Sequence, residues 1–153
     1  MGVEIERKFL IDLQLLPSLP NGIQIHQGYL GAGVRVRLAK HPDGSERAEL
    51  TVKGEGVLVR PEYNYTIPPK DAAEILKLSY SSLRKIRTLV DVEKHTWEID
   101  QYLGPLKGLW TAEVELDSMD DVVKIPKWAT KEVTYDRKYA NSNLARYGLP
   151  KST

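Results

Sequence analysis

Side chains that change character at every second residue dominate this sequence, and that period commits the chain to extended strands, whose successive side chains leave on opposite faces. Residues Glu4 to Ile11 set Glu4, Glu6 and Lys8 against Ile5, Phe9 and Ile11, with Arg7 the one charge on the apolar side. The same alternation runs through Gln24 to Leu30 and Val34 to Ala39, which flank a Gly31-Ala32-Gly33 turn. It returns in Ala48 to Lys53, after the turn signal His41-Pro42-Asp43-Gly44, and again in Val59 to Ile67. There Pro61, which lacks an amide donor, is expected at a strand edge or irregularity. Further strands are predicted over Leu83 to Val90, Thr96 to Tyr102, Trp110 to Leu116 and Lys131 to Tyr135.

Helical signals are few. Asp71 to Leu78 combines helix formers with apolar Ala72, Ala73, Ile75 and Leu76, suited to covering a sheet. Ser118 to Asp121 resembles a helix start, with a short apolar run behind it before Pro126, and Asp136 to Tyr147 is predicted as a terminal helix stopped by Gly148 and Pro150. The pattern of about eight short strands with two or three helices predicts a β-rich α+β fold, barrel or sandwich, because closure removes exposed sheet edges. With 153 residues, one domain over 1–153 is expected.

The polar faces of these strands carry like-signed doublets two residues apart: Glu4/Glu6, Arg35/Arg37, Lys85/Arg87, Glu98/Asp100 and Glu113/Glu115. Two residues along a strand span roughly 7 Å. At an effective dielectric near 20, like charges at that spacing repel by about 2.4 kcal/mol, against about 0.6 in bulk water. Any one such strand is read most simply as half-exposed, with its charges in solvent. Acids and bases that occupy separate strands suit another arrangement, a wet interior where some strands hold cations and others an anion. Such an interior cannot be dry, because unpaired charges are too costly to desolvate. A polyphosphate with a hard divalent cation supplies both missing signs, its oxygens accepting from Arg and Lys while the cation bridges to carboxylates.

Composition removes other classes. There is no cysteine, so disulfides, thiolate nucleophiles and zinc or iron–sulfur sites built on sulfur are excluded. The 22 Lys+Arg and 21 Asp+Glu cancel to +1, which argues against a basic nucleic-acid coat and gives no reason to invoke a membrane. The opening residues carry acids where a secretory signal needs an apolar run, and a cytoplasmic protein is expected. His26, His41 and His95 lack metal-ligand spacing and are expected at the surface or in packing, while Trp97, Trp110 and Trp128 are expected in the core. No Gly-x-Ser-x-Gly elbow is present, and Gly54-Glu55-Gly56 is read as a turn.

The opening Glu4-Ile5-Glu6-Arg7-Lys8 resembles the Glu-x-Glu-x-Lys strand of the triphosphate tunnel metalloenzymes, the CYTH superfamily. Val34-Arg35-Val36-Arg37, Leu50-Thr51-Val52-Lys53-Gly54, Arg60-Pro61-Glu62-Tyr63, Lys85-Ile86-Arg87, Trp97-Glu98-Ile99-Asp100, Ala112-Glu113-Val114-Glu115 and Glu132-Val133-Thr134-Tyr135-Asp136 follow in that family's order. The resemblance, to short bacterial inorganic triphosphatases in particular, implies a closed eight-stranded antiparallel tunnel. It also implies hydrolysis of triphosphate with Mg²⁺ or Mn²⁺. By that resemblance Glu4, Glu6 and Glu115 bind metal, and Glu62, Asp100 and Glu113 complete an acidic side with catalytic Lys8. Lys8, Arg35, Arg37, Lys53, Arg60, Lys85 and Arg87 hold phosphate, with Lys138 near the mouth. The expected partner is a small-molecule polyphosphate, with no nucleic acid or membrane, and a homodimer is compatible with the sequence.

Members of that family often carry a further acid at the position of Asn64. An amide there brings no charge, which bears on whether a second metal binds. Other readings of the same architecture are an adenylate cyclase or a thiamine or nucleoside triphosphatase, told apart by their products. A reading of another class is a non-catalytic module that binds polyphosphate or nucleotide, which would show binding without turnover.

Overall fold

The computed structural model describes residues 2–151, and its strands run β1 (Gly2–Ile11), β2 (Ile23–Gly31), β3 (Val34–Lys40), β4 (Glu46–Lys53), β5 (Val59–Ile67), β6 (Ser81–Val92), β7 (His95–Tyr102), β8 (Trp110–Glu115) and β9 (Ala129–Glu132). Helix α1 (Pro69–Leu76) follows β5 and α2 (Asn141–Tyr147) closes the chain, with short 3-10 turns at Gly104–Leu106 and Arg137–Tyr139. All pairings are antiparallel, and eight strands form a closed ring in the order β1, β5, β4, β3, β2, β6, β7, β8 and back to β1. The ninth strand lies outside it. Along one edge β1 pairs with β5 as far as Ile5↔Val59, then turns to β9 from Phe9↔Glu132, with a register shift before Ile11↔Ala129. Sharing one edge between two partners closes the ring and leaves β9 as a flap over its side.

The apolar faces of the strands point out of the ring, not into it. Phe9, Trp97, Ile99, Ala112 and Val114, from β1, β7 and β8, pack beneath Leu16, Leu19, Leu116 and Trp128 from connecting segments. Trp97 is fully excluded from solvent, 5.5 Å from both Phe9 and Trp128 in tilted and edge-on contact. Such aromatic pairs contribute roughly 0.5–1.5 kcal/mol each beyond area burial. On the far side α1 lays Ala72 and Leu76, four apart and so on one helix face, against Val36 and Ala48. Pro69 starts that helix where a missing N–H costs nothing, and Asp71 favours its positive end. Two strips of core therefore clad the outside of the barrel, which leaves the opposite strand faces, the charged ones, inside.

One end of the barrel is closed by the C-terminal segment. Leu144 of α2 packs with Leu83, Tyr102 and Leu106, and the Tyr102 hydroxyl donates to Asn141 Oδ1 at 2.6 Å. The ammonium of Lys8 donates to the Tyr139 carbonyl at 2.6 Å.

Three expected elements differ from those observed. Ser118 does accept from the Asp120 amide, but the segment makes only a turn, because too few apolar residues precede Pro126 to bury a helix face. The expected terminal helix is divided: Asp136 caps a 3-10 turn through the Lys138 amide, and Ala140 is extended, with ψ 136°, before α2 begins. The last strand spans Ala129–Glu132 in place of Lys131 to Tyr135, because its register is set by where β1 becomes free of β5. Pro61 lies within β5, opposite Val3 of β1, and not at an irregularity. Its carbonyl accepts from Gly54 just past the Lys53↔Glu62 pair, where the β4–β5 ladder has ended.

Candidate active site

The barrel encloses a cavity of about 1120 Å³. Strand order sorts its charges. Neighbouring β7, β8 and β1 present Glu98, Glu113, Glu115, Glu4 and Glu6, whereas β3 and β4 opposite present Arg35, Arg37 and Lys53 with Glu49, and β6, next to β7, presents Arg87. β5 joins the two walls with Arg60 and Glu62, and Lys8 stands among the acids. The segregation of signs between strands is thus largely a segregation between facing walls.

The walls meet at Glu4. Its Oε1 accepts from Lys53 Nζ at 3.3 Å and from Arg60 Nη2 at 3.1 Å, and Lys53 stands 3.9 Å from Glu62. Deeper in, Arg87 bridges Glu98 at 2.9 Å and Asp100 at 2.8 Å. The Gln27 side-chain carbonyl accepts from both Nε and Nη2 of Arg37, while its amide donates to the Tyr29 hydroxyl. Arg37 is thereby held without a carboxylate partner, and burial with Arg35 and Arg87 nearby lowers it to about 10.

Glu6, Glu98 and Glu113 each bring a carboxylate oxygen to within 4.8 Å of the other two. Burial, then the neighbouring Glu113 and Glu4, push Glu6 well above the usual carboxylate range. Burial acts upward on Glu113 too, but Lys8, the bond from Glu6 and Arg87 outweigh it and hold Glu113 well below. The crowding thus raises the proton affinity of one partner and lowers that of the other. Burial also raises Glu98, against the pull of Arg87. Among the described residues, the buried atoms Glu113 Oε1 and Arg35 Nε find no hydrogen-bond partner, although Lys8 Nζ stands 3.6 Å from Glu113 Oε1. Unpartnered polar atoms of opposite sign on facing walls are costly unless a ligand meets them.

Residues 2–146 match the CYTH domain family. The chain belongs to that family. Among its relatives, an inorganic triphosphatase of Acetivibrio thermocellus is 39% identical over 153 residues, covering 95% of each chain. An inorganic triphosphatase of Nitrosomonas europaea is 32% identical, covering 93% of this chain and 96% of its own. A solved structure of the inorganic triphosphatase NE1496 superposes with a TM-score of 0.66 at 28% identity, covering 96% of this chain and 100% of that one.

The CYTH tunnel brings together most of the residues expected from the sequence: Glu4, Glu6, Lys8, Arg35, Arg37, Lys53, Arg60, Glu62, Arg87, Glu113 and Glu115 all line the cavity. Lys85 and Asp100 do not. They pair at 2.7 Å beneath its floor with no solvent exposure. Lys138 is not among the lining residues either: its side chain is mostly exposed, 3.8 Å from Asp136, although Asp136 and Arg137 beside it do line the cavity. Glu98 lines the cavity and joins the tightest carboxylate group, a place the sequence reading did not assign to it. Its doublet with Asp100 was the available signal. No helix among the described residues is long and apolar enough to cross a membrane.

Proposed function

We propose that this chain is an inorganic triphosphatase, which hydrolyses tripolyphosphate to pyrophosphate and orthophosphate with a divalent cation. The observation that carries the reading is the pairing of a cationic and a carboxylate wall across one cavity in a CYTH barrel, together with relatives named inorganic triphosphatase. Arg35, Arg37, Lys53, Arg60 and Arg87, with Lys8, bind the substrate's oxygens. Several positioned cations fix a flexible anion in one reactive geometry, which removes much of the entropic cost of the reaction.

Glu6, Glu98 and Glu113 suit a hard cation such as Mg²⁺ or Mn²⁺: all donors are oxygens, they converge, and one buried oxygen, Glu113 Oε1, has no hydrogen bond. Glu115 and Glu4 stand beside this group on the same wall. When bound, the cation neutralises charge on the phosphoryl oxygens flanking the broken bond.

A phosphoryl group held by Lys53 and Arg60 lies beside Glu4, which bonds both and whose proton affinity is raised by burial and by Glu62. We assign Glu4 to take the proton of the attacking water as the new oxygen–phosphorus bond forms and the bridging bond breaks. Pyrophosphate leaves with the electron pair of that bond. Asp100, paired with Lys85, serves from below the floor by holding Arg87.

The experiment is a phosphate-release screen of the purified protein over tripolyphosphate, pyrophosphate, ATP and thiamine triphosphate, with Mg²⁺ and with Mn²⁺. Equal yields of orthophosphate and pyrophosphate from tripolyphosphate, with slower release from ATP, are expected. Cyclic AMP from ATP, or binding of tripolyphosphate without any turnover, would end this reading.

A further inference from the structure

Three neighbouring strands carry a chain of hydrogen bonds from the cationic wall to the acidic one. Arg35 Nη2 donates to Thr51 Oγ1 at 3.0 Å, the Thr51 hydroxyl donates to Asn64 Oδ1 at 2.6 Å, and Asn64 Nδ2 donates to Glu62 Oε1 at 2.9 Å. Register builds this line: Arg35 stands opposite Thr51 on β3 and β4, and Thr51 opposite Asn64 on β4 and β5. Thr51 has no solvent exposure, so water does not compete for its hydroxyl.

The direction of each bond is forced. An ionised carboxylate only accepts and a guanidinium only donates, so the two ends of the chain are fixed. Asn64 must then turn its amide toward Glu62 and its carbonyl toward Thr51, since the flipped amide would set two acceptors face to face. The Thr51 hydroxyl, with one proton, gives it to Asn64 and is left accepting from Arg35. A carboxylate in place of Asn64 could accept from Thr51 but could not donate to Glu62, and it would add a negative charge beside Glu62 and Glu4.

We infer that Asn64 is a positioning residue: through Thr51 it fixes the Arg35 guanidinium, whose Nε is buried with no protein partner, and through its amide it fixes the Glu62 carboxylate. The competing partner of Arg35 is Glu49, 3.7 Å from Nη2 and partly exposed. Once Thr51 is free to turn its proton elsewhere, its hold on Arg35 loosens, and Arg35 turns along β4 toward Glu49. Asn64 itself borders a separate cavity of about 220 Å³ with Glu4, Glu62 and Glu115, and acts on the substrate only through its two neighbours.

The catalytic part of this inference rests on the triphosphatase reading, and its test has one arm independent of turnover. In ¹⁵N-labelled protein, the Arg35 Nε–H signal is expected to be resolved and slowly exchanging. It is lost in Asn64→Ala and in Thr51→Val but kept in Thr51→Ser, which retains the hydroxyl, and in Asn64→Asp, which retains the acceptor. Equal signals in all five proteins would overturn the relay whether or not tripolyphosphate is a substrate.

In steady-state hydrolysis of tripolyphosphate, Asn64→Ala and Thr51→Val each lower kcat/KM about tenfold, the size of one lost bond to a charged group. The double variant is no worse than Asn64→Ala, because Thr51→Val cuts a link that Asn64→Ala has already cut. Losses that multiply to about a hundredfold, or an unchanged kcat/KM in Asn64→Ala, would overturn the positioning role. A wild type that releases no phosphate sinks the triphosphatase reading alone, and the arginine signal still decides the relay.

Discussion

Lys85 Nζ stands 2.7 Å from Asp100 Oδ2, and neither side chain has any contact with solvent. Asp100 also accepts from Nε and Nη2 of Arg87, at 2.8 and 2.9 Å, so one buried carboxylate anchors two cations. Burial alone would raise Asp100, but Arg87 and Lys85 reverse this and take it down to about 2. Burial takes Lys85 the other way, down to about 7 against the attraction of Asp100. Asp100→Asn keeps the shape and removes the charge that compensates both. Breaking a buried pair on one side costs about 3–5 kcal/mol. Urea unfolding of Asp100→Asn should therefore show a loss in that range, with Lys85→Met/Asp100→Asn recovering part of it. A loss below about 1 kcal/mol would show that the pair is not holding the floor.

Glu113→Gln tests the carboxylate cluster. Glu113 shares the carboxylate cluster with Glu6 and Glu98, so neutralising it relieves the repulsion that raises Glu6 and removes an anion that a divalent cation needs. Lys8 loses a partner at 3.6 Å but keeps the Tyr139 carbonyl. Unfolding midpoints should fall, because the Glu113 charge is held by Lys8 and Arg87, while phosphate release at ordinary metal concentration falls by about a hundredfold or more. Titration with Mg²⁺ and Mn²⁺ checks this. Unchanged metal demand would place the cation elsewhere.

Lys53→Ala probes the cationic wall. Its ammonium faces Glu4 and Glu62 at the junction of the two walls, and Arg60 continues to pair with Glu4 when it is gone. Structure should be kept, and affinity for tripolyphosphate should fall by about 2 kcal/mol or more, roughly thirtyfold in Kd. Calorimetric titration measures it, and equal affinity would show that Lys53 does not touch the anion.

Much of this site was legible because strand alternation settles the side on which a residue points. Glu4 and Glu6, Arg35 and Arg37, Glu113 and Glu115 needed only the period of two to be placed on one face. Alternation does not settle depth. Glu98 and Asp100 share a face of β7, yet Glu98 reaches the cavity while Asp100 lies under its floor beside Lys85. That difference comes from the register of β7 against β6 and β8, which pairs Arg87 with Asp100 and Glu113 with Glu98. Asn64 was visible as a missing acid, but its bonds depend on the Thr51↔Asn64 pairing between strands. Lys138 lies in a 3-10 turn, where no period-two pattern fixes its direction.

The connection after β8 contains a charge whose effect on stability has a definite sign. Asp121 Oδ2 accepts from the Asp117 amide at 3.0 Å and meets His95 Nε2 at 2.9 Å, with Lys94 3.4 Å from the other oxygen. The bond from the Asp117 amide, then His95, lowers Asp121 from 3.8 to about 2. A carboxyl lowered by folding binds its proton more weakly in the native state than in the unfolded chain, so ionisation favours folding. That contribution is fully present above the unfolded value near 3.8 and is lost as pH falls through about 2. Asp121→Asn still accepts a hydrogen bond but never gains the charge. Its melting temperature should therefore lie below the wild type's at neutral pH. The gap should hold down to about pH 4 and close between there and pH 2. Thermal melts of both proteins over that range read the difference directly, and a gap that stays constant to pH 2 would show that the charge on Asp121 does not stabilise the fold.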